Sequence, residues 1–442
     1  MLKLAGSDQT YSADELAGLL ARSTPEWLEL AERVNSPKYL FWDKARYMPR
    51  PEELTDREFW AFVTYQRRMS LGRSMTPILD RHSIPFSWLR LPHFDRFLHE
   101  CDTYLSDKSS VTHRRSRQTN KQLILSGLIE EAIATAQLEG ASTTRKVAKQ
   151  MLLEGRRPTT DSERMILNSY NAMVDIEEET KLTTMTGERL LALHTTLTKG
   201  TIKDSEVGRL RFEDEPIVVV EGSGAITHVP PRTDVVAREL PRLIDFANDN
   251  MRESVFLHPV IKAIMLHFWL AYLHPFTDGN GRAARALMYW YLLRHGYWTF
   301  AYMPMSLIIK RAPAQYREAF VFTEQDGNDL TYFIDYSLKK MEQAQSEFEK
   351  YRADKQSEAP AIQPELVERY GMNTRQAQLL RYLHKRPDAY TTIKTHTRLY
   401  SVTRPTAQAD LESLEKLGFL SSRKVGKFRH FLPTEKIAEL LS

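Results

Sequence analysis

The chain has 442 residues, 61 Lys and Arg against 57 Asp and Glu, a formal charge of +4, and 42% hydrophobic residues. That length exceeds one ordinary core and the apolar fraction is that of a folded protein, so two or three domains are expected and overall disorder is excluded. The lone cysteine, Cys101, excludes an internal disulfide framework and a cysteine-based zinc cage, and no run reaches the roughly 20 apolar residues of a membrane helix.

Asp8 and Asp14 interrupt the start before a signal-peptide core can form, so a cytoplasmic protein without membrane contact is expected. Apolar residues at three- and four-residue spacings predict helices over 14–20, 121–137, 163–182, 187–198 and 233–250. The fold class is mainly α. Residues 1–105 form an N-terminal helical region whose tryptophans, Trp27, Trp42, Trp60 and Trp88, are expected in its core. A polar, basic stretch at 106–120 marks an exposed connection. Pro216–Glu221 reads as a strand, followed by the turn signal Gly222-Ser-Gly224 and then Ala225–Val229, a short hairpin.

The chemically informative segment is Leu273-His-Pro-Phe-Thr-Asp-Gly-Asn-Gly-Arg-Ala-Ala-Arg285. An apolar helix precedes it over 259–273 and another follows over 282–295, closed by Gly296. Gly279 and Gly281 flank Asn280 and let main-chain N–H groups crowd an anion, at the start of a helix whose dipole favours negative charge. Arg282 and Arg285 share a helix face, so the segment reads as a polyphosphate site. Asp278 is placed to ligate Mg²⁺ together with phosphate oxygens. His274 is placed to take a proton from a hydroxyl nucleophile. Phe276 is expected to pack under the loop.

HPFTDGNGRAAR resembles the HPFx[D/E]GNGRxxR signature of the Fic family at every specified position. The resemblance extends to His258-Pro-Val-Ile-Lys-Ala263 with His267, to Gly208-Arg-Leu-Arg211, and to Asn328–Ile334, covering roughly residues 120–345. It implies a Fic helical core with a β-hairpin flap. It also implies AMP transfer from ATP to a Ser, Thr or Tyr hydroxyl of a protein target, the chain itself included. In that reading His274 deprotonates the hydroxyl and Asp278 holds Mg²⁺. Asn280 and the N–H groups of Gly279 and Gly281 hold phosphate oxygens, while Arg282 and Arg285 bind the outer phosphates. Flap residues Ile226, Thr227 and His228 would align an extended target segment by strand addition. Thr135-Ala-Gln-Leu-Glu-Gly140 resembles the family's inhibitory motif [S/T]xxxE[G/N]. Glu139 would pair with Arg285 and fill the γ-phosphate slot, Gly140 would end the helix, and Thr135 would tie helix to loop. Two alternatives stand beside this reading: removal of AMP at the same site, and a DNA-bound regulator whose core senses nucleotide. A homodimer that relieves inhibition is a further expectation.

Residues 353–364 have linker composition. Beyond Pro360 lie 14 Lys and Arg and 8 Asp and Glu, so this region carries +6 and the remainder −2. Residues 365–442 resemble a winged helix-turn-helix: helices over 375–383 and 393–399, a third starting near Thr403, and two strands around Gly426. As a DNA-binding module it would expose Arg404, Thr406, Gln408 and Asp410 on the third helix. Arg423, Lys424, Lys427 and Arg429 would meet phosphates from the wing. Docking or dimerisation is the other use of such a module.

Overall fold

The computed structural model describes residues 11–106, 117–179, 184–215, 217–220, 224, 226–251, 256–357, 369–384, 389–425 and 428–441. In chain order the first elements are α1 (Ala13–Ala21), α2 (Pro25–Asn35), α3 (Trp42–Ala45), α4 (Asp56–Met69), β1 (Arg73–Leu79), β2 (Pro85–Leu89) and α5 (Pro92–Glu100). The middle holds α6 (Arg117–Leu138), α7 (Arg145–Glu154), α8 (Asp161–Glu179), α9 (Gly187–Thr198), β3 (Val219–Val220), β4 (Ile226–His228), α10 (Thr233–Ala247), α11 (Pro259–Leu273) and α12 (Asn280–Arg294). Then come α13 (Met305–Lys310), α14 (Pro313–Gln325), α15 (Thr331–Ser357), α16 (Thr374–His384), α17 (Ile393–Tyr400), α18 (Arg404–Lys416), β5 (Leu420–Val425), β6 (Phe428–Pro433) and α19 (Glu435–Leu441). The mainly helical fold class expected from periodicity is what the chain forms.

Helix starts follow from local chemistry. Ser12 and Thr55 close capping boxes with Glu15 and Glu58, and Thr144, Thr186 and Thr403 cap α7, α9 and α18 through their side chains. The N-terminal region, expected to be helical throughout, also holds the antiparallel β1–β2 hairpin. The Asp80 carboxylate closes its turn by accepting from the backbone N–H of His82 and Ile84. Trp27, Trp42 and Trp88 are buried, as expected of core residues, whereas Trp60 is only half-buried.

The chain divides into two compact units, each with its own packing. The first comprises residues 1–109, 171–300 and 305–342. At its centre stand α11 and α12, packed side by side with nearly every residue buried. Both are apolar around most of their circumference, the pattern of a helix enclosed by others rather than lying on a surface.

The second unit comprises residues 110–170, 301–304 and 343–442. In it, α6 and α7 share a small core of Ile129, Ile133, Ala136, Ala148, Met151 and Leu152. Gly127 lies inside α6 because a Cβ there would collide with the Ala301 carbonyl and the Tyr302 backbone. A second core joins α16, α18, β5, β6 and α19 through Leu380, Leu383, Leu411, Leu414, Leu420, Phe431 and Ile437. Helix α17 packs on α6 and α7. There Arg398 donates to the Leu152 carbonyl, and Lys394 to that of Gly155 at 3.3 Å, serving carbonyls that the end of α7 leaves without intrahelical partners.

Candidate active site

The segment from His274 to Gly279 joins the two central helices of the first unit, and its conformation is set residue by residue. His274 ends α11 in the left-handed region at φ 47°, ψ 56°. Three of the last four carbonyls of α11 find donors at the helix end. Leu270 O accepts from His274 N at 3.1 Å, Ala271 O from His274 Nδ1 at 3.2 Å, and Tyr272 O from His228 Nε2 at 2.9 Å. Arg211 straps the next residues: its Nε donates to His274 O, its own N to Pro275 O, and its Nη2 to Pro231 O. The hydrogen on Nδ1 is thereby committed to the helix end, which makes Nε2 the proton-accepting nitrogen of His274.

The rest of the loop folds on itself. Asn280 Oδ1 accepts from Phe276 N at 2.9 Å, and its Nδ2 donates to Phe276 O at 2.8 Å. Phe276 is fully buried under the loop and stacks on His194, with centroids 3.9 Å apart. Gly279 sits at φ 82°, and a Cβ there would lie 2.8 Å from Thr198 Cγ2. The first backbone bond of α12 runs from Ala283 N to Gly279 O. The N–H groups of Asn280, Gly281 and Arg282 therefore point out of the helix start, where the helix dipole favours an anion.

Asp278 accepts from Gly279 N at 2.6 Å and from Arg282 Nη2 at 3.1 Å, and its side chain is 46% exposed. A carboxylate has about four lone-pair directions, so both oxygens keep capacity for a cation. Among the described residues no group of three or more His, Cys, Asp or Glu side chains could hold a metal. The donor set suits a hard cation that brings phosphate oxygens with it, as Mg²⁺ does.

Several residues lie differently from the sequence expectation. Asn280, expected on phosphate, is 2% exposed and spends its amide on the loop's own backbone, and the Gly279 N–H, also expected on phosphate, is taken by the Asp278 carboxylate. Arg282 and Arg285, expected to rise above the loop, are 1% and 2% exposed. Arg282 is drawn inward by the Leu197 carbonyl at 2.9 Å, and its buried Nε has no hydrogen-bond partner among the described residues. Burial, together with the Arg285 charge, pushes the His267 imidazole down to about 3. In the flap, β3 and β4 pair as the expected hairpin and Ile226 is exposed. Thr227 bonds back to Val219 O, and His228 turns inward to Glu324 and the Tyr272 carbonyl.

In the second unit, α6 ends at Leu138 and Gly140 adopts φ 97°, as expected of a helix-terminating glycine; Thr135 is buried and Glu139 half-buried. Helix α18 starts after Thr403, with Arg404 and Gln408 exposed and Thr406 half-buried. Asp410 is not on the exposed face: it is 5% exposed and held by Arg375, Asn373 and His396. Arg423 and Lys424 are exposed on β5, whereas Arg429 is engaged by Glu412 and Glu415. Lys427 lies outside the described residues.

The sequence reading missed His194. It is fully buried in α9, with Nδ1 accepting from Gly208 N at 3.1 Å and Nε2 donating to Asp278 O at 3.0 Å. Burial lowers its pKa and keeps the ring neutral, the form those two bonds require. Its only sequence signal was a histidine on the apolar face of a helix. The His194→Phe exchange keeps the stack on Phe276 but strips both bonds. It is expected to lower the unfolding free energy by about 2 kcal/mol in a denaturant titration, because two half-buried backbone groups lose their partner.

A family model described as the Fic/DOC family matches residues 184–292. Over 89 residues the chain is 39% identical to protein adenylyltransferase Fic of Drosophila willistoni, a stretch that is 20% of this chain and 16% of that protein. Over 137 residues it is 30% identical to protein adenylyltransferase fic-1 of Caenorhabditis elegans, 31% of this chain and 23% of that protein. The matches thus span less than a quarter of these relatives' own length. Among solved structures, a fragment of C. elegans Fic-1 superposes with a TM-score of 0.50 at 15% identity, covering 78% of this chain and 93% of the fragment. A Fic family protein from Desulfovibrio desulfuricans G20 gives a TM-score of 0.49 at 18% identity, covering 78% and 96%.

Proposed function

The chain carries a Fic/DOC family domain over residues 184–292, and from that premise we propose that it is a protein adenylyltransferase. It moves AMP from ATP to a Ser, Thr or Tyr hydroxyl of a protein, itself included. The observation that carries this reading is the His274–Gly279 loop, which joins a proton-accepting imidazole nitrogen to a helix start with three outward N–H groups.

His274 Nε2 takes the proton of the attacking hydroxyl, and that oxygen forms a bond to the α-phosphorus. The bond from the α-phosphorus to the bridging oxygen breaks, and pyrophosphate leaves with the electron pair. The N–H groups of Asn280, Gly281 and Arg282 hold phosphate oxygens, and Arg282 and Arg285 supply positive charge beneath them. Asp278 would hold Mg²⁺, which neutralises phosphate charge when bound. His194, Arg211 and the Asn280 side chain fix the loop so that these groups need not reorganise. The exposed edge of the flap receives the target's backbone.

Glu139 acts as a brake by competing for Arg285 in the γ-phosphate slot, with Thr135 and Gly140 setting its position at the end of α6. In the Glu139→Gly variant, incubation with ATP and Mg²⁺ should add the mass of AMP to the intact protein, at least about tenfold faster than in the wild type, as expected when a blocked fraction becomes competent. Intact mass spectrometry checks this, and no mass gain in either protein sinks the assignment. Loss of the AMP mass from AMP-modified protein would instead favour the hydrolytic reading. The presence of Arg285 supports ATP handling instead.

The C-terminal helices and the β5–β6 hairpin have the order of a winged helix, and Arg404, Gln408, Arg423 and Lys424 are its exposed candidates for DNA contact. Relief of the brake by self-association into a homodimer belongs to the same reading. Among the described residues no helix is long and apolar enough to cross a membrane.

A further inference from the structure

The flap hairpin is too short to define its own position. It has two residues in β3 and three in β4, and two-stranded ribbons of this size are not independently stable. Yet its outer residues, Val220 and Ile226, are more than half exposed, so they do not bury the hairpin against the core. What fixes it is His228. The ring is nearly buried, and both of its nitrogens meet acceptors: Nε2 donates to Tyr272 O at 2.9 Å, and Nδ1 to a Glu324 carboxylate oxygen at 2.9 Å. The Tyr272 carbonyl is the orphan of α11 two residues before His274, and the His228 and His274 rings lie 6.5 Å apart. Glu324 sits one residue from the end of α14, where a carboxylate opposes the helix dipole. Its placement there is offset by the imidazole it holds, and by nothing else in its own last turn, which carries no basic residue.

We propose that Glu324 is a positioning residue that, through His228, sets the spacing between the flap edge and His274 and so aligns the acceptor segment for transfer. This rests on the adenylyltransferase reading and deepens it: the pair acts on the protein substrate, not on the nucleotide. The hairpin edge and the base are referred to one helix end, so loss of the latch misplaces the acceptor hydroxyl while leaving the phosphate site intact.

The test uses the full chain with Glu139→Gly as enzyme, and a size-tagged full chain with His274→Ala as acceptor, which can be labelled only in trans. Adding Glu324→Ala to the enzyme should raise the apparent KM for the acceptor at least about fivefold and lower kcat, with the KM for ATP within about twofold of its parent. Glu324→Gln should restore most of the loss, since its amide can still bond Nδ1. An unchanged acceptor KM, an equal change in the ATP KM, or no rescue by glutamine overturns the proposal. Hydrogen–deuterium exchange decides independently of activity: Glu324→Ala should speed exchange at 226–229 and leave α12 unchanged, and equal exchange in the flap overturns the latch. A parent enzyme that labels nothing would instead refute the transfer reading, with the exchange result still judging the latch.

Discussion

The His274→Ala exchange, made in the Glu139→Gly background, is expected to lower AMP incorporation from labelled ATP by at least about 100-fold, the usual scale for removing a positioned general base. The argument is geometric. The left-handed turn at His274 and the bond from Nδ1 to the Ala271 carbonyl leave Nε2 as the nitrogen for the proposed proton transfer. The adjoining helix start is built on Gly279 and Asn280, whose bonds do not involve the imidazole. ATP affinity, read by equilibrium dialysis, should therefore change by less than about threefold, since the imidazole is assigned no ground-state contact with phosphate. Undiminished labelling would reject His274 as the base, and a parallel loss of ATP binding would move its role from proton transfer to loop support.

Gly279→Ala should cost about 2–4 kcal/mol of stability, from a left-handed backbone that alanine disfavours and from overpacking against Thr198. An added Cβ at this φ of 82° meets Thr198 Cγ2 at 2.8 Å. The two causes are separable. Thr198→Ser removes the methyl while its hydroxyl still donates to the His194 carbonyl, as Thr198 does at 2.7 Å. The double variant should recover the packing share, roughly half, and leave the backbone share. Denaturant unfolding of the four proteins checks this; additive losses with no recovery would place the collision elsewhere. Labelling in the Glu139→Gly background should follow the same order, because the strained residue opens the helix whose N–H groups are proposed to hold the phosphates.

Much of the site was legible because its chemistry is contiguous. Two glycines around Asn280, a histidine at one end and arginines after the turn lie within twelve residues, and the flanking helices declare themselves by apolar periodicity and by Pro259 and Gly296. What supports the loop was not legible. His194, Arg211 and Glu324 lie 63 to 96 residues from the groups they hold around the loop, and nothing local distinguishes a bracing histidine from a packed one. The direction of a side chain is likewise a tertiary fact. Arg282 reads as a surface cation on a helical wheel, yet α12 is enclosed and the Leu197 carbonyl draws the guanidinium inward. Asn280 reads as a ligand but is the clamp that shapes the turn. The β1–β2 hairpin escaped notice because Pro77 and Pro85 break the alternation, while the turn between them is closed by one carboxylate, Asp80.

His274, the proposed base, is also the stopper of the rod on which it stands. Its main chain occupies a conformation that alanine resists and asparagine accepts, and its ring supplies a donor that alanine lacks and asparagine retains. Deleting the side chain therefore removes a donor from the helix end along with the base, while the start of α12 keeps its own bonds. An amide in its place would silence the chemistry while keeping the stopper, so the two carboxamide-bearing positions of the turn, one native and one introduced, would hold an inert replica of the bend.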